Sequence, residues 1–297
     1  MPLAIIGAMT QGQIGYMIES SLDTALMEIG IETEQSFCTL ITYVVVDAQD
    51  PGFLNPSKPI GPFFTEEPAA TLPYHLVETD KGYRRVVASP QPVAIVEHRE
   101  IKRLIDMDFI VICAGGGGIP VVRKGRRFSG VEAVIDKDLA SAVLAREIGA
   151  DLFIIATDTE GAAIHWGKPG QAFLRKVPVA EMEAYIREKH FPSGSMGPKI
   201  EAILEFFQTT RKRGIICHLK DIQKAIAETR KSSALLRLRN QRLNLLTHKV
   251  AFTLALPYLA SDEKNLLDIE GIQRNCLELS EMVNQFRRNA AYYRKCL

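Results

Sequence analysis

Short apolar runs alternate with amphipathic stretches between about residues 38 and 229. Apolar runs of this kind, bounded by turn residues, are typical of strands buried on both faces of a mainly parallel sheet. The pattern predicts strands at residues 39–46, 109–113, 152–156 and 214–217. Between the second and third of these, a helix is predicted over 138–150 that stops at Gly149, because glycine adopts the left-handed C′ conformation without a Cβ penalty. The chain is therefore predicted to have an α/β fold.

Prolines interrupt this pattern over residues 50–92. Proline removes a backbone donor and fixes φ, so the segment is not expected to form a regular central strand or helix. Its aromatic and aliphatic side chains nevertheless provide apolar surface that can pack. We therefore predict a protruding lid or small subdomain here, with a disordered insertion as the alternative.

The periodicity becomes helical in the last part of the chain, with apolar positions such as Ile272, Cys276 and Leu279. The sequence predicts a domain over 1–229 followed by a helical extension over 230–297. Lysines and arginines are frequent at the junction. A solvated helical face is favoured over nucleic-acid binding, because no interleaved aromatic residues or known binding motif accompany the charge.

The composition argues against several classes of binding site but does not identify a partner. The net charge of +1 over 297 residues gives no general attraction to polyanions or acidic membranes. The 5 cysteines are scattered and form no CxxC pair, which argues against a zinc site and a disulfide framework and predicts a cytoplasmic protein. Neither a signal peptide nor a membrane span is expected, because no run has the required pattern or length.

A glycine-rich segment, CAGGGGIP at 113–120, directly follows the second predicted strand. A parallel strand that ends in glycines offers backbone N–H groups at the carboxyl edge of the sheet, where α/β proteins usually bind ligands. Anions are the natural ligands of such donors. A flexible turn remains the alternative for this segment.

A lysine between two aspartates forms the second candidate, in VEAVIDKDLAS at 131–141. Asp138 is predicted to cap the following helix, and Lys137 to project beside its N-terminus. Capping explains only one of the two aspartates. A lysine between Asp136 and Asp138 suits an ammonium group held in place to bind phosphate.

Two further lysines complete the pattern. In FPSGSMGPKIEAILEFF at 191–207, Pro198 suits a first helical turn, and Lys199 follows it where the helix dipole repels a cation unless an anion lies between them. Lys58 lies between two prolines on a stiffened backbone, although an exposed loop lysine is the alternative. Together with the glycines, Lys58, Lys137 and Lys199 suit phosphoryl transfer, in which positioning and charge neutralisation dominate.

These motifs together resemble carbamate kinases of the amino acid kinase family, in the same order, over about residues 3–226. The segments are GAMTQGQIGYM (7–17), VDAQDPGFLNPSKPIGPFF (46–64), GYRRVVASPQP (82–92), AGGGGIPVV (114–122), GVEAVIDKDLASAVLAREIGAD (130–151), HWGKP (165–169) and HFPSGSMGPKIEAILEF (190–206). The resemblance implies a three-layer αβα sandwich with a lid, usually homodimeric. It also implies phosphate transfer between ATP and carbamate, or from carbamoyl phosphate to ADP, with Mg²⁺, and a role in arginine metabolism.

The resemblance also implies roles for individual residues. Lys137 and Lys199 would neutralise the transferred phosphoryl group, Asp138 would orient these lysines, and Lys58 would reach in from the lid. The small-molecule sites would be Gly115, Gly116 and Gly117 for the carbamoyl group, and Thr157, Gly194, Ser195 and Met196 for the nucleotide. No protein ligand to a metal is implied.

The chain departs from the family pattern in three places. It starts beyond the family's GGNA-type and NGPQVG-type turns, so it is expected to be N-terminally incomplete, and the tail after about 230 has no counterpart. Asp158 follows Thr157 where the family has glycine, and a carboxylate near phosphates should weaken nucleotide binding unless a metal offsets it. The alternatives are a non-catalytic anion-binding or scaffold homologue, and a misassigned gene product with a wrong start and a foreign tail.

Overall fold

The computed structural model describes residues 1–28, 36–64, 75–79, 82–192, 194–227 and 250–254. These residues form two compact units. The first unit contains the described residues within 1–19 and 35–148, and the second contains those within 20–34 and 149–255. The domain predicted over 1–229 therefore divides at Gly149, whose φ of +73° ends a helix as the sequence predicted.

The helices are α1 (Leu3–Glu28), α2 (His98–Asp106), α3 (Lys137–Ile148), α4 (Val179–Arg187) and α5 (Met196–Thr210). The strands are β1 (Phe37–Leu40), β2 (Tyr43–Val46), β3 (Lys58–Phe64), β4 (Leu76–Thr79), β5 (Gly82–Val87), β6 (Pro92–Ile95), β7 (Ile110–Cys113), β8 (Ile119–Lys124), β9 (Arg127–Gly130), β10 (Leu152–Thr157), β11 (Ala163–Ile164), β12 (Ala172–Phe173), β13 (Arg213–His218) and β14 (Val250–Leu254).

The first unit contains a parallel pair, β1 with β7, and a four-stranded sheet in the order β6-β2-β8-β9. The strand predicted at 109–113 is confirmed as β7. The single strand predicted at 39–46 is wrong, because β1 and β2 belong to different sheets. The break falls at Thr42, whose carbonyl accepts hydrogen bonds from the Gln11 side chain and the Ile119 amide. An uninterrupted apolar and β-branched run carries no local signal of such a break.

The proline-rich segment contributes a separate antiparallel sheet in the order β3-β5-β4, which we call the lid sheet. Pro59 and Pro62 both lie on β3, an edge strand, where a missing backbone donor costs no ladder hydrogen bond. The central strand, β5, contains no proline. Ile60 of β3 and Val87 of β5 pack with Leu3 of α1 in a buried apolar cluster.

The second unit is built on a parallel sheet in the order β13-β10-β14. The strands predicted at 152–156 and 214–217 are confirmed as β10 and β13. Every residue of β10 is buried, as expected for a central strand covered on both faces. Helix α5 packs on this sheet: the rings of Phe153 and Phe206 are 5.5 Å apart, and a Cβ on Gly214 would come within 2.7 Å of the Ile203 side chain.

Strand β14 corrects one prediction about the tail. The sequence predicts helices over 230–297, but 250–254 forms a strand parallel to β10, with Leu152 opposite Val250 and Ala156 opposite Leu254. The stretch VAFTL is rich in β-branched and aromatic residues, which suit a strand beside a buried neighbour. The remainder of the predicted helical extension lies outside the described residues.

Among the residues that the structure describes, no helix has both the length and the apolar character needed to cross a membrane.

The packing of Phe206 against Phe153 predicts that replacing each of two neighbouring phenylalanines of α5 by alanine lowers stability by unequal amounts. Phe206 is fully buried whereas Phe207 is only partly buried. We expect Phe206→Ala to lower the free energy of unfolding by about 3–5 kcal/mol, through lost burial and a cavity, and the matched control Phe207→Ala to cost clearly less. Urea denaturation of the full chain measures both values, and equal losses would contradict this packing.

Candidate active site

The lid sheet is held to the start of α3 by an ion pair. The Nζ of Lys58, the first residue of β3, lies 2.6 Å from Oδ2 of Asp136, which directly precedes α3. The Asp136 side chain is 9% exposed and that of Lys58 is 25% exposed. Lys58 therefore contacts Asp136 within the first unit, and its reach toward a transferred phosphoryl group stays a prediction.

Asp136 also caps α3. Its Oδ1 accepts a hydrogen bond of 2.9 Å from the Asp138 amide, and its carbonyl accepts one of 3.0 Å from the Ala140 amide. The prediction that Asp138 caps the helix is thus wrong, because such a helix would begin at Leu139, whereas α3 begins two residues earlier, at Lys137, and Asp138 lies inside its first turn. A carboxylate at the N-cap satisfies a free backbone N–H and complements the helix dipole.

The buried carboxylate of Asp138 lies beside Lys137. Asp138 is only 1% exposed, and its Oδ2 is 3.7 Å from Nζ of Lys137. This contact fits the predicted orienting role of Asp138 toward Lys137. Two lysines are therefore each held by a neighbouring aspartate at the same helix N-terminus.

The pKa of Asp136 reflects this arrangement. Burial alone would raise the pKa of the carboxyl group, but the charge and hydrogen bond of Lys58 oppose burial, helped by the charge of Lys137 and the Asp138 amide. The net effect lowers the pKa below its ordinary value of 3.8. Asp136 is therefore a carboxylate at neutral pH, suited to hold cations and not to donate a proton.

The glycine-rich segment forms a tight turn between β7 and β8, here called the glycine turn (residues 114–119). Ala114, Gly116, Gly117 and Gly118 all have positive φ, at 54°, 66°, 98° and 79°. The amides of Gly117 and Gly118 donate to the carbonyls of Ala114 and Gly115 within the turn. Helix α3 packs against the turn, so the turn lies beside the lysine-aspartate cluster within the first unit.

Packing explains part of this glycine content. A Cβ on Gly117 would overlap the carbonyl oxygen of Ile135, whereas a Cβ on Gly116 would meet no described atom within 4 Å. Gly117 is thus required by close approach of the backbone, and Gly116 is the member that borders open space. Contact of Gly115, Gly116 and Gly117 with a carbamoyl group stays a prediction.

The remaining predicted residues lie in the second unit. Thr157 ends β10, is 6% exposed, and its Oγ1 donates to Oδ1 of Asp158 at 3.1 Å. The Asp158 carboxylate therefore accepts a hydrogen bond from the hydroxyl that is predicted to lie near the nucleotide.

The N-terminus of α5 holds the other predicted nucleotide residues and Lys199. Gly194 and Ser195 form the turn before the helix, and Met196 is its first residue. The amides of Ser195 and Gly197 donate to the Pro192 carbonyl at 3.4 and 2.9 Å. Lys199 is 6% exposed in the first turn, so a cation is buried at the positive end of a helix dipole, as the sequence indicated.

Three contacts of the first unit have no signal in the sequence. Asp136 is adjacent to Lys137 in sequence, but its pairing with Lys58 has no local pattern. Gln11 lies in the 7–17 segment that carries the family resemblance, but nothing in that segment links it to Thr42, and no motif marks Thr42, which bonds Ala114 of the glycine turn. Within the described part of the chain, no group of three His, Cys, Asp or Glu residues is arranged to hold a metal ion.

The sequence profile of the amino acid kinase family matches residues 22–218. The chain belongs to the amino acid kinase family. A carbamate kinase of Pyrococcus horikoshii is 46% identical to it over 230 residues, which cover 76% of this chain and 73% of the relative. Because the chain is 46–47% identical to proteins that are named as kinases, it is a phosphotransferase enzyme.

Solved structures of carbamate kinase from Giardia lamblia resemble this amino acid kinase in fold. The enzyme bound to citric acid has a TM-score of 0.70 at 41% identity, covering 77% of this chain and 73% of that one. The enzyme bound to AMP-PNP has a TM-score of 0.66 at 38% identity, covering 85% and 76%. The predicted α/β fold of the amino acid kinase type is confirmed.

The glycine turn of this amino acid kinase predicts different costs for two similar substitutions. Gly117→Ala combines a positive φ with overlap at Ile135 and should lower the free energy of unfolding by about 2–5 kcal/mol. Gly116→Ala has open space and should cost only about 1–2 kcal/mol, for its positive φ. Urea denaturation of both variants checks this order, and a larger loss for Gly116→Ala would contradict it.

The lowered pKa of Asp136 predicts a pH dependence of stability. A depressed carboxyl pKa stabilises the folded state above its ordinary value of 3.8 and loses that contribution as the pH falls through the lower folded-state value. Asp136→Asn should cost about 1–3 kcal/mol at pH 7, and the deficit should shrink below pH 3.8. Urea denaturation between about pH 7 and pH 3 measures the difference. Asp47→Asn, an exposed carboxylate of the same unit, is the control, and a pH-independent deficit would refute the ion-pair assignment.

Proposed function

We propose that this amino acid kinase transfers a phosphoryl group between ATP and carbamate, or in reverse from carbamoyl phosphate to ADP. The observation that carries the proposal is the pairing of Lys58 with Asp136 and of Lys137 with Asp138 at the N-terminus of α3, beside the glycine turn. The relatives at 46–47% identity that are named carbamate kinase support the choice of substrate. The Giardia lamblia enzyme bound to AMP-PNP supports the use of an adenine nucleotide.

The reaction needs charge neutralisation more than acid-base chemistry. In the ATP-forming direction, an oxygen of the ADP β-phosphate attacks the phosphorus of carbamoyl phosphate, and the bond from phosphorus to the carbamate oxygen breaks. The attacking oxygen is already anionic, so no general base is required. The phosphoryl transfer transition state spreads negative charge over the transferred oxygens, and fixed cations stabilise it.

Three lysines of this chain are proposed to supply that charge. Lys58 and Lys137 are each held by a buried carboxylate, so their positions are set before the substrate arrives. Lys199 is buried in the first turn of α5, so its ammonium group and the positive end of the helix dipole lie together and suit an anion. Preorganised cations of this kind lower the barrier because they need no reorganisation during the reaction.

The nucleotide and carbamoyl roles follow the sequence prediction. We propose that Thr157 and the turn of Gly194, Ser195 and Met196 contact the nucleotide, and that the glycine turn borders the carbamoyl group. Mg²⁺ would enter as part of the nucleotide complex, because this ion usually binds through phosphates and retained waters with few protein ligands. Asp158 is an exposed carboxylate at the end of β10 and suits an interaction with such a bound cation.

A coupled assay of ATP formation from ADP and carbamoyl phosphate tests the proposal. We expect Lys137→Ala to lower kcat by about 10²–10³, because a preorganised charge that stabilises the transition state is removed. Lys124→Ala, an exposed lysine of the same unit, is the matched control and should change kcat less than twofold, or about 0.4 kcal/mol.

Equal turnover by the wild type and Lys137→Ala would rule out catalysis by this cluster. Calorimetric titration with ADP and with carbamoyl phosphate then separates the alternatives. Binding without turnover would support the non-catalytic anion-binding homologue, and that outcome would overturn the proposed activity.

A further inference from the structure

A buried polar network joins α1 to the glycine turn in the first unit. Gln11 is 3% exposed and Thr42 is 0% exposed. Gln11 Nε2 donates to the Thr42 carbonyl at 3.2 Å, and Gln11 Oε1 accepts from the Thr42 amide at 3.1 Å and from the Thr42 hydroxyl at 2.8 Å. The amide of Ala114 donates to the Thr42 hydroxyl at 2.8 Å.

The directions of these hydrogen bonds are determined by the groups involved. The Ala114 amide can only donate, so Thr42 Oγ1 accepts from it and gives its own hydrogen to Gln11 Oε1. The side-chain oxygen of Gln11 faces two donors and its nitrogen faces a carbonyl, which excludes the flipped amide. The network is therefore an ordered relay from Ala114 through Thr42 to Gln11.

Thr42 contacts both ends of the glycine turn. Its hydroxyl accepts from Ala114, the first residue of the turn, and its carbonyl accepts from the Ile119 amide, the last residue, at 2.9 Å. Ala114 has φ of +54°, a left-handed conformation that costs a non-glycine residue energy and persists only when its surroundings hold it. One buried threonine thus holds the ends of a turn whose interior is glycine.

We infer that Thr42, oriented by Gln11, is a positioning residue for the glycine turn, an inference that rests on the proposed role of this turn at the carbamoyl group. Thr42 does not touch the substrate in this scheme. It holds the Ala114 end and the Ile119 end at a constant separation, so that the intervening glycine backbone presents its groups in one conformation. Displacement of such groups by about 1 Å is enough to slow a reaction strongly.

The chain offers a matched control for the loss of a hydroxyl. Thr39 lies on β1 in the same unit, and its Oγ1 also bonds a side chain of α1, donating to Glu19 Oε2 at 2.7 Å. Both Thr42→Val and Thr39→Val remove a hydroxyl that reaches α1. The hydrogen bond to Ala114 is made by Thr42 and is kept in Thr39→Val.

Steady-state kinetics of the full chain provide the first test. Thr42→Val should raise KM for carbamoyl phosphate about tenfold, because the Ala114 amide loses its acceptor and the turn shifts, while KM for ADP stays within about twofold. Thr42→Ser, which keeps the hydroxyl, should restore most of the loss, and Thr39→Val should match the wild type. Equal effects of Thr42→Val and Thr39→Val, or equal changes in both KM values, would overturn the inference.

Hydrogen exchange supplies a second measurement that does not depend on turnover. Peptides that cover the glycine turn should exchange faster in Thr42→Val than in the wild type, and at the wild-type rate in Thr39→Val and Thr42→Ser. Melting temperatures check that all variants are folded. Unchanged exchange of the turn in Thr42→Val would overturn the inference even in an active enzyme. If the wild type forms no ATP, the proposed function fails on its own, and exchange still decides whether Thr42 holds the turn.

Discussion

The Asp136 carboxylate is the group on which the arrangement of the first unit's candidate site depends. One oxygen binds Lys58, 78 positions away in sequence, and the other accepts a hydrogen bond from the Asp138 amide in the first turn of α3. A buried carboxylate is costly unless it is paired and hydrogen-bonded, so separation of the lid sheet from α3 would leave an uncompensated charge. The same group therefore fixes the lid lysine and the helix terminus that carries Lys137.

Close packing gives the glycine turn its shape, and buried hydrogen bonds hold its ends. Gly117 is pressed against the Ile135 carbonyl, whereas Gly116 borders open space. A turn made of glycine alone would be flexible, because glycine loses more conformational freedom on folding than any other residue. Thr42 and Gln11 remove that freedom with directed hydrogen bonds, and α3 covers the turn from the side of the charged cluster.

The candidate site residues of the second unit lie at the ends of buried elements. Thr157 is the last residue of β10, which has no exposed residue, and Lys199 lies in the first turn of α5, which packs against β10 through Phe206. Strand β14 lies beside β10 and comes from a part of the chain that the family resemblance does not cover. The tail therefore contributes a strand to the parallel sheet of this unit.

The strands at 109–113, 152–156 and 214–217, the helix that ends at Gly149 and the family could all be predicted from the sequence, because apolar runs, caps and motif spacing are local properties of the chain. The folded chain was needed to show that 39–46 is split, that 250–254 is a strand, that Asp136 holds Lys58, and that Thr42 holds the glycine turn. Those features depend on contacts between residues 31, 72 and 78 positions apart, or on strand neighbours from distant segments, and no local pattern encodes them.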